Sequence, residues 1–80
     1  MENKNKIVYE ELTNKQLEVY TAIKGFINKY GYSPTIRELC KMCGCNSPAT
    51  IYVHLKKMRA KGFITYIDKK GRTLRILEEE

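Results

Sequence analysis

Thr35-Ile36-Arg37-Glu38-Leu39-Cys40-Lys41-Met42-Cys43-Gly44-Cys45-Asn46-Ser47-Pro48-Ala49-Thr50-Ile51 holds two helix starts and one helix stop. Thr35 and Glu38 have the spacing of a capping box, in which the hydroxyl accepts the Glu38 amide and the carboxylate reaches back to the Thr35 amide. A helix is therefore predicted from Ile36 to Cys43, burying Leu39 and Cys43. Gly44 stops it, because glycine takes the left-handed conformation at little cost. Ser47-Pro48 then reads as an N-cap followed by a first-turn proline. The next helix runs from Pro48 to Lys61, with Ile51, Leu55 and Met58 inward at spacings of four and three. Two short capped helices joined by a tight glycine turn form a helix-turn-helix, an arrangement suited to reading DNA.

Upstream, Thr13-Asn14-Lys15-Gln16 is a second capping box, and Leu12 and Leu17 are placed as a hydrophobic staple. They predict a helix from Asn14 to Tyr30, ended by Gly31, whose core stripe is Val19, Tyr20, Ile23, Phe26, Ile27 and Tyr30. Gly25 within it reads as a close-packing site. Tyr32-Ser33-Pro34 is an extended connector able to supply a short strand. Residues 1–11 show no sustained period and are expected to form a partly disordered arm. Downstream, Gly62 ends the last helix and lets Phe63 fold back on Met58. Residues 63–67 are β-branched and aromatic, Asp68 to Arg72 is a turn, and residues 73–77 alternate, which reads as a hairpin. The fold class expected is mainly α with a small β-hairpin: a three-helix winged helix-turn-helix over residues 12–77, with Glu78, Glu79 and Glu80 as a solvated acidic tail.

Charge is placed unevenly. The net charge is +6, yet Asn46 to Leu77 carries eight bases (Lys56, Lys57, Arg59, Lys61, Lys69, Lys70, Arg72 and Arg75) against Asp68 alone. On a helix-turn-helix such a field is the expected phosphate footprint. If Ile51, Leu55 and Met58 face inward, 100° per residue turns Ala49, Val53 and Lys56 outward, with Thr50, Tyr52 and Lys57 beside them. Ala, Val and a Thr methyl can meet the thymine methyl in a major groove, while hydroxyls and ammonium groups reach base edges or phosphates. The alternative is a helix with scattered surface apolar residues, or a protein-interaction module in which Tyr52 and Val53 dock a partner.

The chain has 80 residues, 42% of them hydrophobic, which is enough for one small core without disulfides. Three cysteines, no apolar membrane-length run and no signal-peptide segment point to a cytoplasmic protein. Cys40, Cys43 and Cys45 with His54 have a spacing that could ligate zinc. Cys43 sits on the buried stripe, however, and free cysteine is among the most buried residue types, so structural thiols are the reading taken. No cofactor is expected. No phosphate loop, carboxylate pair or nucleophile elbow occurs, so no enzymatic activity is expected of these residues.

The combination Leu12-Thr13…Gln16-Leu17-Glu18-Val19, Gly31-Tyr32-Ser33-Pro34-Thr35-Ile36-Arg37-Glu38-Leu39, Ser47-Pro48…His54-Leu55 and Lys61-Gly62-Phe63-Ile64 resembles the DNA-binding domain of the LexA family of SOS-response repressors. The resemblance covers about residues 12–77. It implies operator binding and transcriptional repression, with base reading by Ser47, Ala49, Thr50, Tyr52 and Val53. Thr35, His54, Lys56, Lys57 and the wing residues Lys69, Lys70 and Arg72 would lie on the DNA backbone. Members of the family carry more polar residues where this chain has Ala49, Tyr52 and Val53, so the usual SOS operator is not carried over. They also continue into a self-cleaving Ser/Lys peptidase domain that dimerises. With no heptad seam or long apolar edge among the 80 residues, a monomer that pairs on palindromic double-stranded DNA is expected.

Overall fold

The computed structural model describes residues 11–77. The expected arm, residues 1–11, lies outside them except for Glu11, and the acidic tail, residues 78–80, lies wholly outside. The order of elements is α1 (Asn14–Tyr30), α2 (Ile36–Met42), α3 (Pro48–Ala60), β1 (Ile64–Thr65) and β2 (Arg75–Ile76). The helix ends agree with the sequence reading to within one residue. Both capping boxes form: Thr13 with Gln16 at the start of α1 and Thr35 with Glu38 at the start of α2.

The turn of the helix-turn-helix closes as its glycine requires. Gly44 has φ +65°, its amide donates to the Lys41 carbonyl at 3.4 Å, and the Cys45 amide donates to the Cys40 carbonyl at 2.9 Å. This double closure places an apolar side chain after the glycine beside one in the last helical turn. It accounts for the cysteines: Cys40 and Cys43 are buried, and Cys45 packs against the core from its rim. The end of α3 repeats the device, with Gly62 at φ +88° and the Phe63 amide donating to Met58. Phe63 is thereby buried edge-on to Tyr20, their ring centroids 6.1 Å apart.

The core gathers Leu12, Val19, Tyr20, Ile23, Leu39, Ile51, Leu55, Met58, Phe63, Ile64 and Leu74 with the two buried cysteines. Three expectations about α1 and its connector are corrected. The stripe on α1 is core only through Ile23; Phe26 and Ile27 are half-buried, and Tyr30 is 48% exposed. The end of α1 faces α2 across an open cavity of about 670 Å³ lined by Phe26, Tyr30 and Met42, so that turn is not closed into the core. Phe26, Tyr30 and Tyr32 instead stack on one another, with centroids 4.5, 5.7 and 6.0 Å apart. Gly25 is exposed, and a Cβ placed on it would meet nothing within 4 Å, so it is no close-packing site. Tyr32-Ser33-Pro34 forms no strand. Proline has no amide to give a ladder, and the Ser33 carbonyl is taken by the Arg72 side chain at 3.0 Å.

The hairpin is shorter than its sequence suggests. Its antiparallel register pairs Ile64 with Ile76 and Thr65 with Arg75; the Leu77 amide donates to the Phe63 carbonyl at 2.9 Å at the open end, and toward the tip the ladder stops at Thr65. Beyond it, side chains replace backbone partners: the Ile67 amide donates to Thr73 Oγ1 at 2.9 Å, and the Tyr66 carbonyl accepts from Arg59 at 3.1 Å. Lys69 and Arg72, at φ +62° and +57°, turn the chain in the left-handed region, whereas Gly71 between them does not.

Candidate nucleic-acid interface

Helix α3 has two unlike faces. Ile51, Leu55 and Met58 are fully buried, while Ala49, Thr50, Tyr52, Val53, Lys56 and Lys57 are exposed. Tyr52 and Val53 keep 39% and 49% of their surface in contact with solvent although both are large and apolar. His54 flanks this face half-buried; its Nδ1 is enclosed without a hydrogen-bond partner among the described residues, leaving Nε2 for an outward contact.

Ser47 departs from expectation. Its backbone holds the N-cap conformation and its carbonyl accepts the Thr50 amide at 3.1 Å, but its hydroxyl makes no capping bond. Pro48 fills the first helical position, where a missing amide costs nothing, and the amides a cap would serve, those of Ala49 and Thr50, receive no bond from the serine hydroxyl. Thr35, also assigned to the DNA backbone, uses its Oγ1 to accept the Glu38 amide at 3.1 Å.

A cleft of about 310 Å³ separates the start of α2 from the wing, with Tyr52 of α3 on its wall. Lys69 and Lys70 line it from the wing, and Arg37 lines it from α2. Arg37 was absent from the sequence-based assignment. Its position two residues after the Thr35 cap, off the stripe marked by Leu39, was the available signal. Four exposed cations therefore line the cleft around exposed Tyr52, and one of them, Arg72, is paired with Glu38.

The third basic residue of the wing is used differently. Arg72 donates from Nη1 and Nη2 to Glu38 Oε1 and Oε2, both at 3.2 Å, and from Nη1 to the Ser33 carbonyl. Its guanidinium also lies over the Tyr32 ring, 4.8 Å from the centroid. The bonds from the Thr35 backbone and then from Arg72 hold the Glu38 carboxyl below the usual carboxylate range. On the other side of the wing, Arg59 lies 4.0 Å over Tyr66 and donates to Asp68 Oδ1 at 3.3 Å. Burial pushes the Tyr66 phenol up.

Cys40, Cys43, Cys45 and His54 are not gathered for a metal: among the described residues no group of three or more His, Cys, Asp or Glu is so placed. Burial pushes the Cys43 thiol up, away from the thiolate that zinc needs. No helix among the described residues is long and apolar enough to cross a membrane.

Three helices, a glycine-closed turn, an outward face of mixed apolar and hydroxyl side chains and a cationic wing beside it define a winged helix-turn-helix nucleic-acid-binding domain. Comparison with known proteins narrows the class. Residues 9–73 match the LexA DNA binding domain model, and the chain belongs to that family. It is 41% identical over 73 residues to the LexA repressor of Alkaliphilus oremlandii, covering 91% of this chain and 35% of that protein. It is 42% identical over 66 residues to the LexA repressor of Clostridium novyi, covering 82% and 32% respectively. The chain spans about a third of the length of the curated relatives it matches.

Proposed function

We propose that this domain binds double-stranded DNA sequence-specifically and serves as the operator-reading part of a transcriptional repressor. The observation that carries this reading is the outer face of α3. Ala49, Thr50, Tyr52 and Val53 stand exposed, with a half-buried Ser47 whose hydroxyl makes no capping bond at their head, while the opposite face is closed by the core. Those five residues read base edges in a major groove. Thr35, Arg37, His54, Lys56, Lys57, Lys69 and Lys70 serve the phosphates, with the wing astride the adjacent backbone. The positive charge supplies affinity and the α3 face supplies discrimination.

One such domain covers about half a helical turn, and two half-sites centred about 10 base pairs apart are the usual solution. The operator is accordingly palindromic, and the domain is a monomer in solution that pairs on it. Sedimentation of the free protein, then titration of duplexes holding one and two copies of a selected half-site over a range of salt, tests this. Weak binding to one half-site, cooperative binding to two and a steep loss with salt are expected. A mobility shift absent at every salt would overturn DNA binding. A stable free dimer, or no gain from the second half-site, would overturn the pairing.

A further inference from the structure

The wing has little ladder to hold its angle. Its strands are two residues each, and the turn between them carries two non-glycine residues in the left-handed region, Lys69 and Arg72. Such conformations persist where surrounding contacts over-determine them. For Arg72 those contacts all belong to the helical body: the Ser33 carbonyl of the connector, the Tyr32 ring and both oxygens of Glu38. Tyr32 is itself seated on Phe26 of α1.

Glu38 has two duties on one carboxylate. Oε1 accepts the Thr35 amide at 2.9 Å, closing the capping box of α2, and also accepts Arg72 Nη1. The start of α2 and the wing are thus fastened to the same group. An ion pair as exposed as this one adds little stability. What a forked guanidinium on a carboxylate adds is orientation, because two parallel bonds fix the plane as well as the distance.

We infer that Arg72 is a positioning residue: through Glu38 it sets the angle of the wing to α3, so that Lys69 and Lys70 are held where the DNA backbone runs, and it does not itself bind phosphate. The inference rests on the DNA-binding reading above, and removing the acid separates it from a phosphate-contact role by the sign of the effect. Taking a carboxylate off a DNA-binding surface ordinarily strengthens binding, since the acid repels phosphate. If Glu38 frees or restrains a phosphate-binding Arg72, Glu38→Gln tightens the complex. If Glu38 anchors the wing, the same change weakens it.

Glu38→Gln is a clean probe because glutamine caps as well as glutamate at this position. Gln16 closes the box of α1 in the same protein. The experiment measures duplex affinity across a salt series for the whole chain, for Glu38→Gln, Arg72→Gln and the double variant, with amide exchange of wing residues in the free proteins alongside. Restoring the freedom of one clasped segment costs affinity about threefold to tenfold. Each single variant should lose about that much, the double variant little more than either, and the wing amides should exchange faster with the melting temperature nearly unchanged. Equal or tighter binding by Glu38→Gln overturns the inference, as does a salt slope that falls by about 0.9 on Arg72→Gln, the signature of one lost phosphate. If the unaltered chain shows no affinity for duplex, the functional reading fails instead, and unchanged wing exchange in both single variants would still overturn the clasp.

Discussion

The two helices of the helix-turn-helix begin in opposite ways. At the start of α2 the cap is closed: Thr35 and Glu38 cap each other, and the same carboxylate receives Arg72. At the start of α3 the serine hydroxyl makes no capping bond. The first start is closed and structural. The second leaves its hydroxyl out of the cap. The same division runs along α3 itself, between a face sealed by Ile51, Leu55 and Met58 and a face where Tyr52 and Val53 meet solvent.

Truncating the two faces of α3 separates them most widely. Leu55→Ala leaves a cavity in the core and should cost about 2–5 kcal/mol, whereas Val53→Ala should stay within about 0.5 kcal/mol in the free protein. Thermal or urea unfolding of the pair measures this. Equal losses would mean that the outer face is structural after all.

The two caps should differ by less, but in the same sense. Thr35→Ala removes a bond that is made and should cost about 1 kcal/mol; Ser47→Ala removes none and should cost a few tenths at most. Urea midpoints at constant m-value give the comparison. A Ser47 loss as large as that of Thr35 would erase the distinction drawn between the two starts.

Gly25 offers a control at an exposed position of α1. Alanine there lies in an exposed helix interior with open space around the Cβ, and should stabilise by about 0.5–1 kcal/mol. No gain in melting temperature would point to a contact on that face.

The smallest effect is that of acid on the closed start. The folded pKa of Glu38 lies below its unfolded one, because the Thr35 amide and Arg72 favour the carboxylate. Its contribution is therefore fully present above the usual carboxylate range and is lost as pH falls through the lowered folded value. The small melting-temperature difference between the unaltered protein and Glu38→Gln should persist at neutral pH and close in acid. A difference that grows on acidification would reverse the assignment.

The parts of this structure that could be read from sequence are those set by residues three to six apart. Both capping boxes and the glycine closures after α2 and α3 are of that kind, and so is the inward trio of α3. What escaped was set at long range. Arg72 meets partners 34 and 39 positions away, and nothing local distinguishes it from Lys70, its equally exposed neighbour in the turn. The hairpin lost its outer ladder to Thr73 and Arg59 side chains, and periodicity alone cannot see such competitors. Tyr30 carried the right spacing for core, but burial also needs a neighbouring element packed onto it, and α2 faces it across an open cavity. The candidate interface was legible as one face of one helix. Arg37 entered it only once the fold had brought α2 and the wing to opposite sides of a cleft.

The central claim is that the open start and outer face of α3 read DNA bases. Selection from a pool of random duplexes, run in parallel with the unaltered chain, Ser47→Ala and Tyr52→Ala, addresses it directly. An enriched motif is predicted for the unaltered chain. Each variant should keep its melting temperature close to that of the parent yet relax or change the preference at a base position of its own. Pools that remain unenriched at every salt concentration, or variants that return the parent motif unchanged, would contradict the account.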